Sequence, residues 1–187
     1  DYLAKDETLI LTYTLKATDS SSPSASTTQT VTITITGTND TPAITINSGD
    51  SASAGLTETN ATLTTSGTLS LTDADVSNTV STVVDSLAIT GTYAGTSGLD
   101  NAAYKAYLSL TGNSANAADP GTTHNLSWSF NSNGQAFDYL ALNETLILTY
   151  TLKATDSSSP SASTTQTVTI TITGTNDTPA ITINSGD

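Results

Sequence analysis

Cysteine, methionine and arginine are missing from this chain of 187 residues, and tryptophan and histidine occur once each. Without thiols there can be no disulfides and no thiolate metal sites. A single histidine, His124, leaves zinc centres and Ser-His or Cys-His catalysis without their parts, so no enzymatic activity is expected. His124 reads as an ordinary strand-edge residue. Positive charge is nearly absent as well: 4 Lys+Arg stand against 17 Asp+Glu, for a net charge of −13 and an isoelectric point near 4.1. Nucleic acid and anionic membranes would repel such a surface, which makes cations the natural partner. No apolar run approaches the roughly 20 residues that span a bilayer, and no leader segment is present. The expectation is a soluble piece from inside a longer chain. Hydrophobic residues make up 35% and aromatics 5%, which is the composition of a thin-cored all-β protein. With no disulfides, extra stability outside the cell has to come from core size or bound metal.

What the chain does have is a repeated hairpin. In LILTYTLKATDSSSPSASTTQTVTITITGTNDTP, residues 146–179, Leu146, Leu148, Tyr150, Leu152 and Ala154 alternate with polar or outward positions in a period of two, which marks a half-buried strand. The run SSSPSAS supplies turn chemistry. Val168, Ile170 and Ile172 then alternate with threonines in a second strand. The polar run from Gly174 to Pro179 stops it. The same segment occurs at residues 9–42. Residues 1–50 match residues 138–187 at 48 of 50 positions, the exceptions being Lys5 against Leu142 and Asp6 against Asn143, so the period is 137 residues. A period that long is one whole domain and not a solenoid unit. The organisation expected is therefore residues 1–40 as the end of a preceding repeat, 41–177 as a complete module, and 178–187 as the start of the next. Two strands cannot build a core. Residues 1–40 should accordingly present an exposed edge, for which 178–187 are an available partner.

Within the complete module, strands are expected at residues 43–47, 55–60, 67–72, 83–90, 106–110 and 125–130, ahead of the hairpin. A short helix fits residues 101–107, and residues 137–143 form a helical or irregular crossover. The only tryptophan, Trp128, is a core anchor between sheets. Seven to nine strands at this spacing suit a two-sheet Greek-key sandwich.

The acidic residues gather at strand ends. Asp73 and Asp75 close one strand, Asp156 closes another, Asp40 and Asp177 lie in the linkers, Glu58 lies in the second extended piece, and Asp138 opens the crossover. Singly, each fits the ordinary preference of Asp for turns. Together, with so few basic residues to balance them, carboxylates at the poles of a sandwich would repel one another, and a hard divalent cation with oxygen ligands, Ca2+, removes that cost. Asp73 and Asp75 sit too close in one loop to suit glycosidase geometry, so metal ligation is the better reading. Gly95-Thr-Ser97-Gly98 resembles a nucleophile turn only superficially. Tyr93, Tyr104 and Tyr107, in the Gly/Asn/Ser-rich region 91–123, fit either a sugar-stacking surface or plugs of a loosely packed sandwich edge.

The run ATDSSSPSASTTQTVTITITGTNDTP resembles the end of a cadherin repeat, with its A-x-D, proline-containing turn, long strand and N-D linker. Taken with TETNATLTTSGTLSLTDAD and FDYLALNETL, the whole period is most similar to the VCBS repeat of giant, type I secreted, RTX-type bacterial adhesins. The resemblance implies a cadherin- and immunoglobulin-like β-sandwich used as an extender on a bacterial cell surface, outside the cell. By position, it implies calcium ligands at Asn39, Asp40, Asp73, Asp75 and Asp156, with Asp1 contributing from the preceding module. At the other pole it implies Glu58, Asp138, Asn176 and Asp177, completed by a following repeat. Gly37 and Gly174 stand where the cadherin linker has its first acidic residue, and Leu140 stands where another is expected, so fewer ions per junction follow. Glu7 and Glu144 could substitute, or could simply be solvated strand starts. Neighbouring repeats are the implied partners, with a surface glycan at region 91–123 as the alternative.

Overall fold

A computed structural model describes residues 2–93, 101–112, 116–117, 122–179 and 181. Asp1 and the segment Gly95–Gly98 lie outside the described residues, as do most of residues 113–121 and 180–187. The elements run β1 (Thr8–Thr18), β2 (Ser26–Thr36), β3 (Ala43–Thr45), β4 (Ser53–Thr57), β5 (Thr64–Thr72), β6 (Thr79–Gly91), α1 (Asn101–Lys105), β7 (Leu108–Thr111), β8 (Asn116–Ala117), β9 (Leu126–Asn131), β10 (Thr145–Asp156) and β11 (Ser163–Thr173).

From β3 onward these strands form two sheets, ordered β4-β11-β10-β6-β8 and β3-β5-β9-β7. The chain crosses between the sheets from β5 to β6, from β6 to β7 and, after β8 and β9, from β9 to β10, which is the Greek-key connectivity of the immunoglobulin and cadherin sandwich. The first strand is split. Its β3 half pairs antiparallel with β5, and after the turn at residues 46–52 its β4 half pairs parallel with β11 in the other sheet. The fold is thus a Greek-key, cadherin-like β-sandwich, as expected. Residues 101–107 contain the one short helix among the described residues, and residues 137–143 are irregular turns.

The period of two in the sequence becomes burial. Along β10 every second residue from Leu146 to Asp156 is buried, and Leu148, Tyr150, Leu152 and Ala154 are fully so. They face Leu69, Leu126, Trp128 and Phe130 of the opposing sheet. At about 1.5–3 kcal/mol for each large apolar side chain removed from water, this layer is the chief source of stability. Trp128 is the anchor its uniqueness suggested: it is buried, donates Nε1–H to the Ser51 carbonyl at 2.7 Å, and lies against Gly67, where a Cβ would collide with the indole.

The first hairpin stands apart. β1 and β2 form a separate two-stranded sheet with Tyr13, Leu15, Val31, Ile33 and Ile35 exposed. His124 corrects its expectation. It sits before β9 with φ +58 and not on a strand edge, and its Nδ1 lies 2.6 Å from Asp50 Oδ1. Asp50 also accepts from the Asn47 backbone and from the hydroxyls of Thr68 and Ser70. Burial alone would push this carboxyl up, but those donors hold it below the usual carboxylate range. The cluster staples the sheet-switching turn of the first strand to β5.

Candidate metal centres at the two poles

At the pole entered by the linker from the first hairpin, that linker meets the β5–β6 loop and the β10–β11 turn. Asp73 and Asp75 follow β5, and both are buried although ionisable. The Asp75 backbone N–H donates to Asp73 Oδ1 at 3.1 Å, which fixes the two carboxylates relative to each other. Asp156, at the end of β10, accepts from the Ser158 and Ala162 backbone amides and so organises the β10–β11 turn. Into this cup comes the linker. Asn39 Nδ2 donates to Asp156 Oδ2 at 3.0 Å, and the Asp40 backbone N–H donates to Asp75 Oδ2 at 2.8 Å. All five expected ligands with described positions therefore converge at this pole.

One member of the cup, Asn78, was not anticipated from the sequence. Asn78 donates to Asp75 Oδ2 at 3.3 Å and to Ser158 Oγ at 2.8 Å, locking the β5–β6 loop to the β10–β11 turn. Asparagine in the run DADVSN is an ordinary turn residue, so nothing but the neighbouring acids marked it.

At the opposite pole Glu58 is buried directly after β4. Its Oε1 accepts from the backbone amide of Thr175 at 2.8 Å and from the Thr175 hydroxyl, tying the outgoing linker to the module. Slight desolvation by its surroundings, with the charges of Glu58 and Asp138 nearby, raises the Asp177 carboxyl above its ordinary value. Asp138, Asn176 and Asp177 are exposed here, whereas Asn39 and Asp40 are partly covered by the module that follows them.

The chemistry of both poles fits a hard cation. Asp73 Oδ2, Asp75 Oδ1 and Glu58 Oε2 are buried and have no hydrogen-bond partner among the described residues. Leaving such an oxygen unpaired costs about 1–3 kcal/mol, more when it is charged. Burial, and the charges of Asp75, Asp156 and Asp40, push the Asp73 carboxyl up. As the side chains stand, no three His, Cys, Asp or Glu groups among the described residues form a closed metal shell. Two other carboxylate oxygens at the first pole, Asp156 Oδ2 and Asp75 Oδ2, are engaged by the amides of Asn39 and Asn78. A half-turn of the Asn39 amide would present its oxygen to the same space. An all-oxygen donor set of this kind suits calcium or magnesium and not zinc or copper.

The two departures from the cadherin pattern have a steric reason. A side chain at Gly174 would fall on the carbonyl oxygens of Leu140 and Ala141, and one at Gly37 on those of Leu3 and Ala4. Leu140 is buried in the core. Neither position has room for an acidic group. Glu7 and Glu144 are turn residues, each accepting from a backbone amide three residues earlier, Ala4 and Ala141, at 2.9 Å.

The tyrosines of the 91–123 region pack inward. Tyr104 is buried with its hydroxyl 2.7 Å from that of Tyr139, Tyr93 lies against Tyr139 at 4.8 Å, and Tyr150 donates to the Tyr104 carbonyl. Tyr107 borders an open groove of about 660 Å³, shared with Ser109, Asn131, Asn133 and Gln135.

The sequence matches no protein-family model and no curated protein. Among solved structures it is similar to the protocadherin GammaB4 extracellular domain, at 17% identity and TM-score 0.47 over 89% of this chain and 22% of that one. It is likewise similar to the protocadherin Gamma B2 extracellular cadherin domains 1–5, at 18% identity and TM-score 0.46 over 91% of this chain and 27% of that one, and to the protocadherin gammaB7 EC3-6 cis-dimer, at 17% and 0.45 over 88% and 32%. The chain thus spans about a fifth to a third of the length of these neighbours.

Proposed function

We propose that this chain is a stretch of a tandem-repeat extender in which successive sandwich modules are joined end to end by calcium-braced linkers, and that its work is mechanical. The observation that carries the reading is the embrace of Asn39 and Asp40 by Asp156 and Asp75, beside the unpaired buried oxygens of Asp73 and Asp75. Asp40, Asp73, Asp75 and Asp156 supply the negative charge, Asn39 a neutral oxygen, and Asp1 a further carboxylate from the preceding module. Glu58, Asp138, Asn176 and Asp177 do the same at the far pole toward a following repeat. Bound calcium would supply the positive charge that lets these carboxylates stay close. The linker residues, held on both sides, then lose their freedom to swivel, and a flexible string becomes a rod.

Read with the resemblance to VCBS repeats, the setting is the stalk of an adhesin on a bacterial surface, where the rod holds a distal binding region away from the cell during adhesion or biofilm formation. Extracellular modules bind calcium at roughly 10⁻⁴–10⁻³ M, so such an array would be loose in the cytosol and stiffen after type I secretion. Ligands that bind only the folded state raise its stability, which couples export to folding. The test is thermal unfolding of the 187-residue chain in millimolar calcium and in chelator. A calcium-dependent rise in Tm supports the scheme, and equal melting temperatures overturn it.

A second reading, a saccharide contact, is favoured by one observation: the groove beside Tyr107 is bordered by uncharged amides and a hydroxyl. Binding on a glycan array that is lost in Tyr107→Ala would support it.

A further inference from the structure

The two copies of the 50-residue segment differ at two adjacent positions and nowhere else, and those positions lie at the module junctions. Lys5 and Asp6 occupy the turn that leads into β1, and Leu142 and Asn143 occupy the same turn before β10. The backbone is the same in both: φ is +66 at Asp6 and +65 at Asn143, and each donates its N–H to the linker glycine carbonyl, Gly37 or Gly174, at 3.2 and 3.1 Å. Asp and Asn are among the few residues that accept this left-handed conformation readily. The exchange therefore leaves the turn alone and changes only what it displays.

What it displays faces the next module. Lys5 and Asp6 border a cleft of about 320 Å³ whose other wall is Ser77, Asn78, Ser158 and Ser159, the loop tips of the module that follows. Lys5 is paired with Asp6, and both are substantially exposed. At the other turn Leu142 is 59% exposed. A single exposed leucine needs no explanation. Here, however, lysine and aspartate are lost together, so the net charge beside the acidic pole is unchanged. Exchanging lysine alone would add an unbalanced carboxylate next to Asp40, Asp73, Asp75 and Asp156.

We propose that this dipeptide is a junction-specifying contact. It docks on the β5–β6 and β10–β11 loop tips of the following repeat, as an ionic, hydrated contact where it is Lys-Asp and as an apolar one where it is Leu-Asn, while holding the charge presented to the cation site constant. The partner is another repeat of the same chain, and the proposal rests on the end-to-end reading above. Junctions of two stiffnesses could then alternate along an array of otherwise identical modules.

The test uses the full 187-residue chain, its K5L/D6N variant and the two single variants. K5L/D6N places the sequence of the second turn at the first junction, so its ability to fold is already shown by residues 142–143. Hydrogen exchange in chelator reads the docking alone. The double variant should slow exchange at residues 76–79 and 157–159 by about threefold or more and make it insensitive to salt; exchange unchanged from the parent overturns the proposal. The reciprocal L142K/N143D exchange, with only residues 178–187 after its linker, should leave those loops unaffected, and an equal effect there would also overturn it. Calorimetric titration with calcium reads the charge balance. K5L should tighten and D6N weaken binding by roughly three- to tenfold at low salt, with the double variant near the parent. Singles that do not differ from the double overturn the charge-balance half. Absence of calcium binding in every variant would sink the calcium reading, while the exchange measurement still decides the docking.

Discussion

The strand TLILTYTLKAT occurs as β1 and again within β10, and the two copies share everything local and nothing else. Each pairs with STTQTVTITIT in the same register, Tyr13 opposite Val31 and Tyr150 opposite Val168. Each is followed by a turn whose aspartate, Asp19 or Asp156, accepts the backbone amides two and six residues ahead. Their surroundings are opposite. Ile33 is 46% exposed and Ile170 is fully buried, because only the second hairpin has β6 and β4 at its edges and the β5–β9 layer against its face. Strand, turn and register are therefore written in some thirty residues, whereas burial is conferred by about a hundred others.

The comparison breaks most visibly in the core. Ile170→Ala should destabilise the module by about 2–5 kcal/mol through lost burial and the cavity left behind. Ile33→Ala, the same change in the same local sequence, should stay within about 0.5 kcal/mol. Urea unfolding of the two variants decides it, and equal losses would mean that the first hairpin is covered in solution.

A smaller contrast separates the glycines that begin the linkers. Gly174→Ala forces a methyl group onto the Leu140 and Ala141 carbonyls beneath a module whose core includes Leu140, and should cost about 1–3 kcal/mol. Gly37→Ala meets the same obstacle in a hairpin with no core beneath it. It should part the Leu3–Asp6 turn from the linker without changing the unfolding midpoint of the module. A shared loss of midpoint would show that the two units fold as one.

Much of this was legible from residue order because it is local or periodic. Alternation along residues 146–154 gave the face of β10, and carboxylates at strand ends gave the acidic pole formed by Asp73, Asp75 and Asp156. What was not legible depends on distant chain segments meeting. Asn78 matters because it bridges the β5–β6 loop and the β10–β11 turn, 80 residues away at Ser158. Asp50 becomes a staple only when the first strand switches sheets and brings it to Ser70 and His124. The left-handed backbone of His124 could not be read from its residue type alone, although histidine accepts that conformation more readily than most. Glu58 could be placed at a pole from the resemblance, but its unpaired buried oxygen follows from how β4 packs beside β11.

The turn aspartates sharpen the comparison further. Asp19 and Asp156 hold identical turns, but only Asp156 also reaches a linker residue, Asn39. Asp156→Asn should weaken calcium binding at that pole about tenfold, equivalent to about 1.4 kcal/mol, and Asp19→Asn should leave it unchanged. Calorimetry on the full chain separates them. Equal effects would place the cation at the turns themselves and not between modules.

The smallest expected effect is a pH dependence confined to the acidic pole. Asp73 is held above its ordinary value of 3.8 by burial and by the neighbouring charges of Asp75, Asp156 and Asp40. A carboxyl whose folded pKa exceeds its unfolded one binds its proton more tightly in the native state. Its ionisation therefore costs stability above the folded pKa, and that cost is relieved as pH falls toward 3.8. In chelator the parent should gain thermal stability as pH falls toward 3.8, and Asp73→Asn should gain less. Asp50 works in the other direction: its pKa is depressed, so the stability it contributes is fully present above the unfolded value of 3.8 and is lost progressively as pH falls below it. Calcium should reverse the sign for the parent, because protons and the cation compete for the same oxygens. If Asp73→Asn keeps the full gain on acidification in chelator, the strain lies elsewhere on this highly acidic chain, and the buried pair Asp73 and Asp75 is not where cation binding gains its leverage over folding.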